Sequence, residues 1–158
     1  MINIVTAYTD GSCHTQIKTG AWASIIISGR ETIRLSDIEA DTTHNRMELK
    51  ACIETIEWIM KEKPGFDEIH IYTDSQYVVG LVDRKDRLKT AGFKTKAGNP
   101  IQNPELVGHF ILLLEKHPIK LIKVKAHQKK NETKNLNIEV DKMVRKLLRE
   151  NLKERKSI

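Results

Sequence analysis

Glu68-Ile69-His70-Ile71-Tyr72-Thr73-Asp74-Ser75-Gln76-Tyr77-Val78 is the stretch that decides the fold class. Its first six residues are rich in β-branched and aromatic side chains and read as a strand. Ser75 then caps a short helix that continues to about Val82. Residues 2–9 have the same strand character and run into Asp10-Gly11-Ser12, read as turn chemistry that stops the strand. Two strands thus each finish on an aspartate. If they are parallel neighbours, both carboxylates emerge outside the carboxyl ends of a sheet, where α/β proteins bind ligands.

Working outward, Gly20 to Ile27 is rich in Trp and Ile, and Ser28-Gly29 leads into the alternating segment Glu31 to Leu35, a hairpin signal. Leu49, Cys52, Ile53, Ile56, Ile59 and Met60 recur at helical spacing and form one apolar stripe. Pro64-Gly65 ends that helix. Asn103-Pro104-Glu105 reads as a helix start, with a capping side chain and a proline in the first turn. Pro118 stops this helix, Ile119 to Val124 forms a strand, and a polar loop from Ala126 to Asn135 precedes a last helix marked by Val140, Met143, Val144, Leu147 and Leu148. The order β-β-β-α-β-α-α-β-α implies one α/β domain: a mixed sheet with parallel crossover strands and an antiparallel first hairpin.

The 158 residues fit one domain, and no apolar run approaches the roughly 20 residues that span a bilayer. The N-terminal residues lack a basic stretch followed by an apolar one, which argues against a secretory signal. Cys13 and Cys52 supply neither a disulfide framework nor metal-ligand spacing. A cytoplasmic protein is expected. The net charge is +6, unevenly spread. Lys116 to Ile158 holds fourteen Lys and Arg against five Asp and Glu, whereas the first 115 residues hold thirteen against sixteen. Between Arg84 and Lys96 six basic residues face the single acid Asp86. Basic tracts beside an acidic site fit a polyanionic partner, although a solvated lysine-rich helix has the same composition.

Four acids occupy places where a sheet enzyme sets its chemistry: Asp10 and Asp74 at strand ends, Glu48 in the first turn of the long helix, and Asp141 beside Val140 in the last one. Singly, each has an ordinary explanation. Asp10 and Asp74 suit turns or caps, Glu48 a helix N-terminus, and Asp141 a surface pair with Lys142 or Arg145. Converging together, four carboxylates repel unless a cation lies among them, and oxygen-only ligands suit Mg²⁺ or Mn²⁺ rather than zinc.

The words around these acids carry a resemblance. Thr9-Asp10-Gly11-Ser12-Cys13, Asn45-Arg46-Met47-Glu48-Leu49 and Thr73-Asp74-Ser75-Gln76-Tyr77-Val78 together resemble the type 1 ribonuclease H family. Val124-Lys125-Ala126-His127 and Asn137-Ile138-Glu139-Val140-Asp141 follow in the family's order. The resemblance implies a ribonuclease H-like α/β fold over residues 1–150, with a five-stranded mixed sheet whose first three strands are antiparallel and the others parallel, flanked by helices. Residues 151–158 remain as a short basic C-terminal end that need not be ordered.

By the same resemblance the chain is a metal-dependent endoribonuclease that hydrolyses the RNA strand of RNA–DNA hybrids, leaving 5′-phosphate and 3′-hydroxyl ends. Asp10, Glu48, Asp74 and Asp141 match the four metal-binding acids. Asp10 would bridge two Mg²⁺ ions, with Mn²⁺ as a substitute. His127 matches a histidine that assists proton transfer and product departure, and its 14-residue separation from Asp141 is longer than the family's usual gap. Cys13, Asn45 and Gln76 match positions that read the RNA strand in the minor groove, where the 2′-hydroxyl marks RNA. Thr43 matches a residue that holds a DNA phosphate, with His44 replacing a common asparagine. Arg84, Lys85, Lys89, Phe93 and Lys94 fall in a basic handle that grips the DNA strand, with Phe93 in place of a common tryptophan.

Two other readings keep the fold and change the function. One is a catalytically silent hybrid-binding module, which has no need of four acids. The other is a related nuclease such as a Holliday-junction resolvase or transposase, which has no need of the handle or of Cys13, Asn45 and Gln76. The expected state is a monomer with an RNA–DNA hybrid as partner and no membrane association.

Overall fold

The computed structural model describes residues 2–125 and 136–156. Its elements are β1 (Ile4–His14), β2 (Thr19–Ser28), β3 (Glu31–Glu39), α1 (His44–Glu62), β4 (Glu68–Thr73), α2 (Gln76–Asp83), α3 (Lys85–Thr90), α4 (Pro104–Lys116), β5 (Ile119–Lys123) and α5 (Leu136–Lys156). The sheet runs β3-β2-β1-β4-β5. β1, β2 and β3 pair antiparallel, while β4 pairs parallel with β1 and with β5. This is the expected five-stranded mixed sheet. Among the described residues no helix is long and apolar enough to cross a membrane.

Strand alternation sorts side chains between two cores. Val5 and Ala7 of β1 and Ile69 and Ile71 of β4 pack with Leu49, Cys52, Ile53, Ile56 and Ile59 of α1 and with Val107, Phe110 and Ile111 of α4. On the opposite face Ala21, Ala23 and Ile25 of β2 meet Val140 and Val144 of α5, with Tyr8 packed beside them. Burying these side chains is worth roughly 25 cal/mol per Å² of apolar surface, so both sheet faces need their helices.

Three local expectations are corrected. β1 does not stop at Asp10-Gly11-Ser12: those residues pair with Ala23, Trp22 and Ala21 of β2, and the strand continues to His14. Gly11 serves a close approach instead of a turn, because a Cβ there would lie 2.4 Å from the carbonyl carbon of Met47. The order holds one helix more than β-β-β-α-β-α-α-β-α, since Lys85–Thr90 in the basic segment forms α3 and Leu88 is 8% exposed within the main core. One apolar residue on a short helix leaves no periodic pattern to read. Asn103 caps nothing with its side chain; it sits in the left-handed region at φ 52° and starts α4 with its carbonyl, which accepts from the Val107 amide at 2.9 Å. Its amide group instead lies 3.4 Å from the Tyr77 hydroxyl.

The described part of the C-terminal end is helical, α5 reaching Lys156. Arg155 Nη2 donates to Thr19 Oγ1 at 2.9 Å and fastens this last turn to the start of β2.

Candidate active site

β1 and β4 stay paired only as far as Tyr8 opposite Tyr72, and the two rings stack at a centroid separation of 4.8 Å. Asp10 and Asp74 each lie two residues beyond that pair, so register alone puts them on either side of the place where the strands part. Asp10 stays in the β1–β2 ladder opposite Ala23, which turns it toward the α5 face. Asp74 follows the last residue of β4 and precedes Ser75, whose hydroxyl caps α2 by accepting from the Val78 amide at 3.1 Å.

Glu48 reaches the same place from α1. Thr43 is the N-cap, its hydroxyl accepting from the Arg46 amide at 3.2 Å, so the helix begins at His44 and Glu48 falls in its second turn, not the first. The bare backbone at Gly11 lets that turn close onto β1. Carboxylate oxygens of Asp10, Glu48 and Asp74 come within 4.8 Å of one another. Asp10 and Glu48 are buried and Asp74 is half-buried.

The fourth acid, Asp141, lies in the second turn of α5 and hydrogen-bonds Asp10. It also takes Arg145 Nη2 at 2.8 Å, the surface pair that its i,i+4 spacing suggests. Burial, followed by the charges of Asp74 and Asp141, pushes Asp10 up to about 8. Asp74 is also raised, by burial first and then by the charges of Glu48 and Asp141. The cluster holds more negative charge than its surroundings neutralise.

A basic side chain also lies against the Asp10, Glu48 and Asp74 group, at the position where the sequence departs from the family's asparagine. His44 Nε2 lies 3.1 Å from Glu48 Oε1. The bond to Glu48 raises the imidazole pKa, and partial burial opposes the shift. The signal available in the sequence was the i,i+4 spacing on one helix face.

Cys13, Thr43 and Asn45 come together around His44. Cys13, Thr42, Thr43 and His44 line a cavity of about 340 Å³, and Thr43, His44 and Asn45 share another of about 450 Å³ with Gln102 and Asn103. Cys13 Sγ donates to the Thr42 carbonyl at 3.3 Å, and burial raises its thiol pKa, so it is no nucleophile. Gln76 is exposed at the first turn of α2, two residues after Asp74.

Within the handle segment, Lys89 Nζ is tied to Glu115 of α4 at 2.6 Å, and Arg84 Nε donates to the Gly80 carbonyl at 3.1 Å. Phe93 is half-buried against the main core with φ 59°, while Lys94 is exposed and bridges Pro100 through the backbone. Lys85 has no ion-pair partner among the described residues. His127 lies outside the described residues.

Comparison with known proteins agrees with this geometry. A family model described as RNase H matches residues 3–149. A protein named ribonuclease H from Acetivibrio thermocellus is 38% identical over 125 residues, covering 78% of this chain and 82% of the relative. One of the same name from Clostridium botulinum is 35% identical over 128 residues, with 78% and 83% covered. A ribonuclease HI from Xylella fastidiosa is 33% identical over 138 residues, with 87% and 89% covered.

Proposed function

The chain belongs to the ribonuclease H family, and from that premise we propose that it hydrolyses the RNA strand of RNA–DNA hybrids with two Mg²⁺ ions, leaving 5′-phosphate and 3′-hydroxyl ends. It is a metal-dependent endoribonuclease by family. The observation that carries the finer reading is the convergence of Asp10, Glu48 and Asp74 within 4.8 Å, with Asp141 bonded to Asp10.

The donor set suits hard divalent cations. Every donor is a carboxylate oxygen, and a site that holds Asp10 near pH 8 for want of positive charge gains most from a cation. Asp10 would be shared between two ions, Asp141 would serve the nucleophile side, and Glu48 and Asp74 the leaving-group side. When bound, such ions would activate a water and neutralise the departing 3′-oxygen.

The protein's own groups have narrower tasks. The β1–β4 register and Gly11 hold the carboxylates at fixed separations. Cys13, Asn45 and Gln76 face the RNA strand, and Thr43 receives a DNA phosphate. Arg84, Lys85, Lys89 and Lys94, with Phe93 beside them, bear on the DNA strand, supplying affinity without base reading. His127 takes up and returns a proton as product leaves. The protein acts as a cytoplasmic monomer.

The test is an endonuclease assay on RNA–DNA hybrid, duplex RNA, single-stranded RNA and duplex DNA, each with Mg²⁺ or Mn²⁺. Cleavage confined to the RNA of the hybrid, with 3′-hydroxyl products, is expected. Hybrid binding without cleavage would leave a silent module, and cleavage of branched or duplex DNA a resolvase-like enzyme.

A further inference from the structure

The outer face of α5 carries four cations in a row. Lys142, Lys146, Arg149 and Lys153 are separated by four, three and four residues, which places them on one helix face. All four are exposed, while Val140 and Val144 are buried against the sheet. The row is about 16 Å long at 1.5 Å per residue. It begins at the residue after Asp141, so it leads directly away from the acid cluster.

Two other cations of α5, Arg145 and Arg155, have partners. Arg145 bridges Asp141 at 2.8 Å, and Arg155 donates to Thr19 at 2.9 Å. Among the described residues no carboxylate lies within ion-pairing distance of Lys142, Lys146, Arg149 or Lys153. Placing like charges at i,i+4 and i,i+3 opposes helix stability. Glu150 stands four residues after Lys146 and three before Lys153, within helical reach of both, yet among the described residues it forms an ion pair with neither. The main core, and with it α2 and α3 of the handle, lies on the α1 face of the sheet, whereas α5 covers the other. The cationic row and the handle therefore belong to opposite faces, with the acid cluster between them.

We propose that Lys142, Lys146, Arg149 and Lys153 form a second phosphate-binding tract, which takes the backbone of nucleic acid lying beyond the cleaved segment. At one phosphate per about 3.4 Å of each strand, the row matches about five phosphates. The inference deepens the hybrid-cleaving reading and rests on it for the placement of substrate. The tract touches phosphates only, so it serves hybrid and duplex DNA alike and adds affinity without selectivity.

The test compares the parent with the triple variant Lys146→Ala, Arg149→Ala, Lys153→Ala, binding about 30-base-pair hybrid and duplex DNA in EDTA at several salt concentrations. Lys142 is kept because it adjoins Asp141. The slope of log affinity against log salt should shrink by about 2–3, near 0.9 for each phosphate no longer neutralised, on both duplexes. In cleavage of hybrid KM should rise with kcat unchanged, and circular dichroism should show the parent's helix content. An unchanged slope refutes the tract even where hybrid is cleaved normally. A reduced slope in a protein that cleaves no hybrid keeps the tract and removes the hydrolase reading instead. An unchanged slope with weakened binding to phosphatidylserine vesicles would assign the row to an anionic membrane and overturn the proposal.

Discussion

A Cβ on Gly11 would stand 2.5 Å from the backbone nitrogen of Glu48. Real Cβ atoms do not approach that closely, so the absent side chain sets how near α1 comes to β1. The neighbouring atoms are backbone, from Met47 and Glu48, and cannot turn aside as a flexible side chain would. Gly11→Ala should therefore push the first turns of α1 outward. The overpacking should cost about 1–3 kcal/mol in urea unfolding. It should also lower metal affinity, because Glu48 moves away from Asp10 and Asp74. Calorimetric titration with Mg²⁺ or Mn²⁺ checks the second effect apart from the first; parent-like affinity would mean that Gly11 does not position the cluster.

The acid cluster makes metal-free stability depend on pH in a definite direction. Asp10 is held up at about 8 in the folded chain, against an ordinary value near 3.8. Between these values the folded state holds a proton that the unfolded chain has released, so stability is fully present near pH 4 and falls as pH rises toward 8. Asp74 is shifted in the same direction and adds to the trend. In EDTA, Asp10→Asn should melt near the parent's temperature at pH 4 and above it at pH 8.5. Mg²⁺ at pH 8.5 should raise the parent's Tm and have much less effect on the variant. Asp74→Asn should also abolish cleavage while hybrid binding persists, and activity within tenfold of the parent would remove Asp74 from the metal site.

His44 and a cation bound at the acid cluster would compete for one Glu48 oxygen. The imidazole donates to Glu48 Oε1 at 3.1 Å, so a cation that uses this oxygen must displace it. A hydrogen bond of this type is worth about 0.5–1.5 kcal/mol net. His44→Ala should tighten metal binding at neutral pH by several-fold, to about tenfold at most. His44→Asn, able to donate to the same oxygen, should fall between. Titration calorimetry on the three proteins decides it, and weaker binding in the alanine variant would show that His44 holds Glu48 ready for the ion instead of competing with it.

Much of this site was legible because it depends on short, local words. Tyr8-Thr9-Asp10 and Tyr72-Thr73-Asp74 share a spacing, and parallel register turns that likeness into proximity. The strand stop read at Asp10-Gly11-Ser12 was right about the position of the acid and wrong about the cause, because the glycine answers to α1, some 36 residues away in sequence. No local pattern reports such an approach. Leu88 and Asn103 failed for a related reason. A single apolar residue among lysines has no periodicity, and Asn103 has the side chain of a cap but spends it on Tyr77. His44 was visible as a departure from the family's asparagine, but its effect on Glu48 needed the helix start that Thr43 defines.

The handle can be divided into residues that hold it and residues that offer charge. Leu88 is 8% exposed in the main core and holds the segment, while Lys89 is paired with Glu115 at the surface and offers its charge to DNA only by giving up that partner. Leu88→Ala should cost about 2–4 kcal/mol, in the range for truncating a buried leucine, whereas Lys89→Ala removes a surface pair worth about 0–1 kcal/mol. Lys85, Lys94 and Lys96 have no ion-pair partner among the described residues. Replacing those three by alanine should leave Tm nearly unchanged and reduce the slope of log affinity against log salt by about 0.9 for each phosphate no longer neutralised. The effect should fall on KM more than on kcat, because an interaction made equally in ground and transition states is uniform binding. Hybrid affinity measured at several salt concentrations separates the two classes. If the lysines serve only solubility, the triple variant will show the parent's slope; if Leu88→Ala shows it too while unfolding more easily, the segment does not bear on the DNA strand at all.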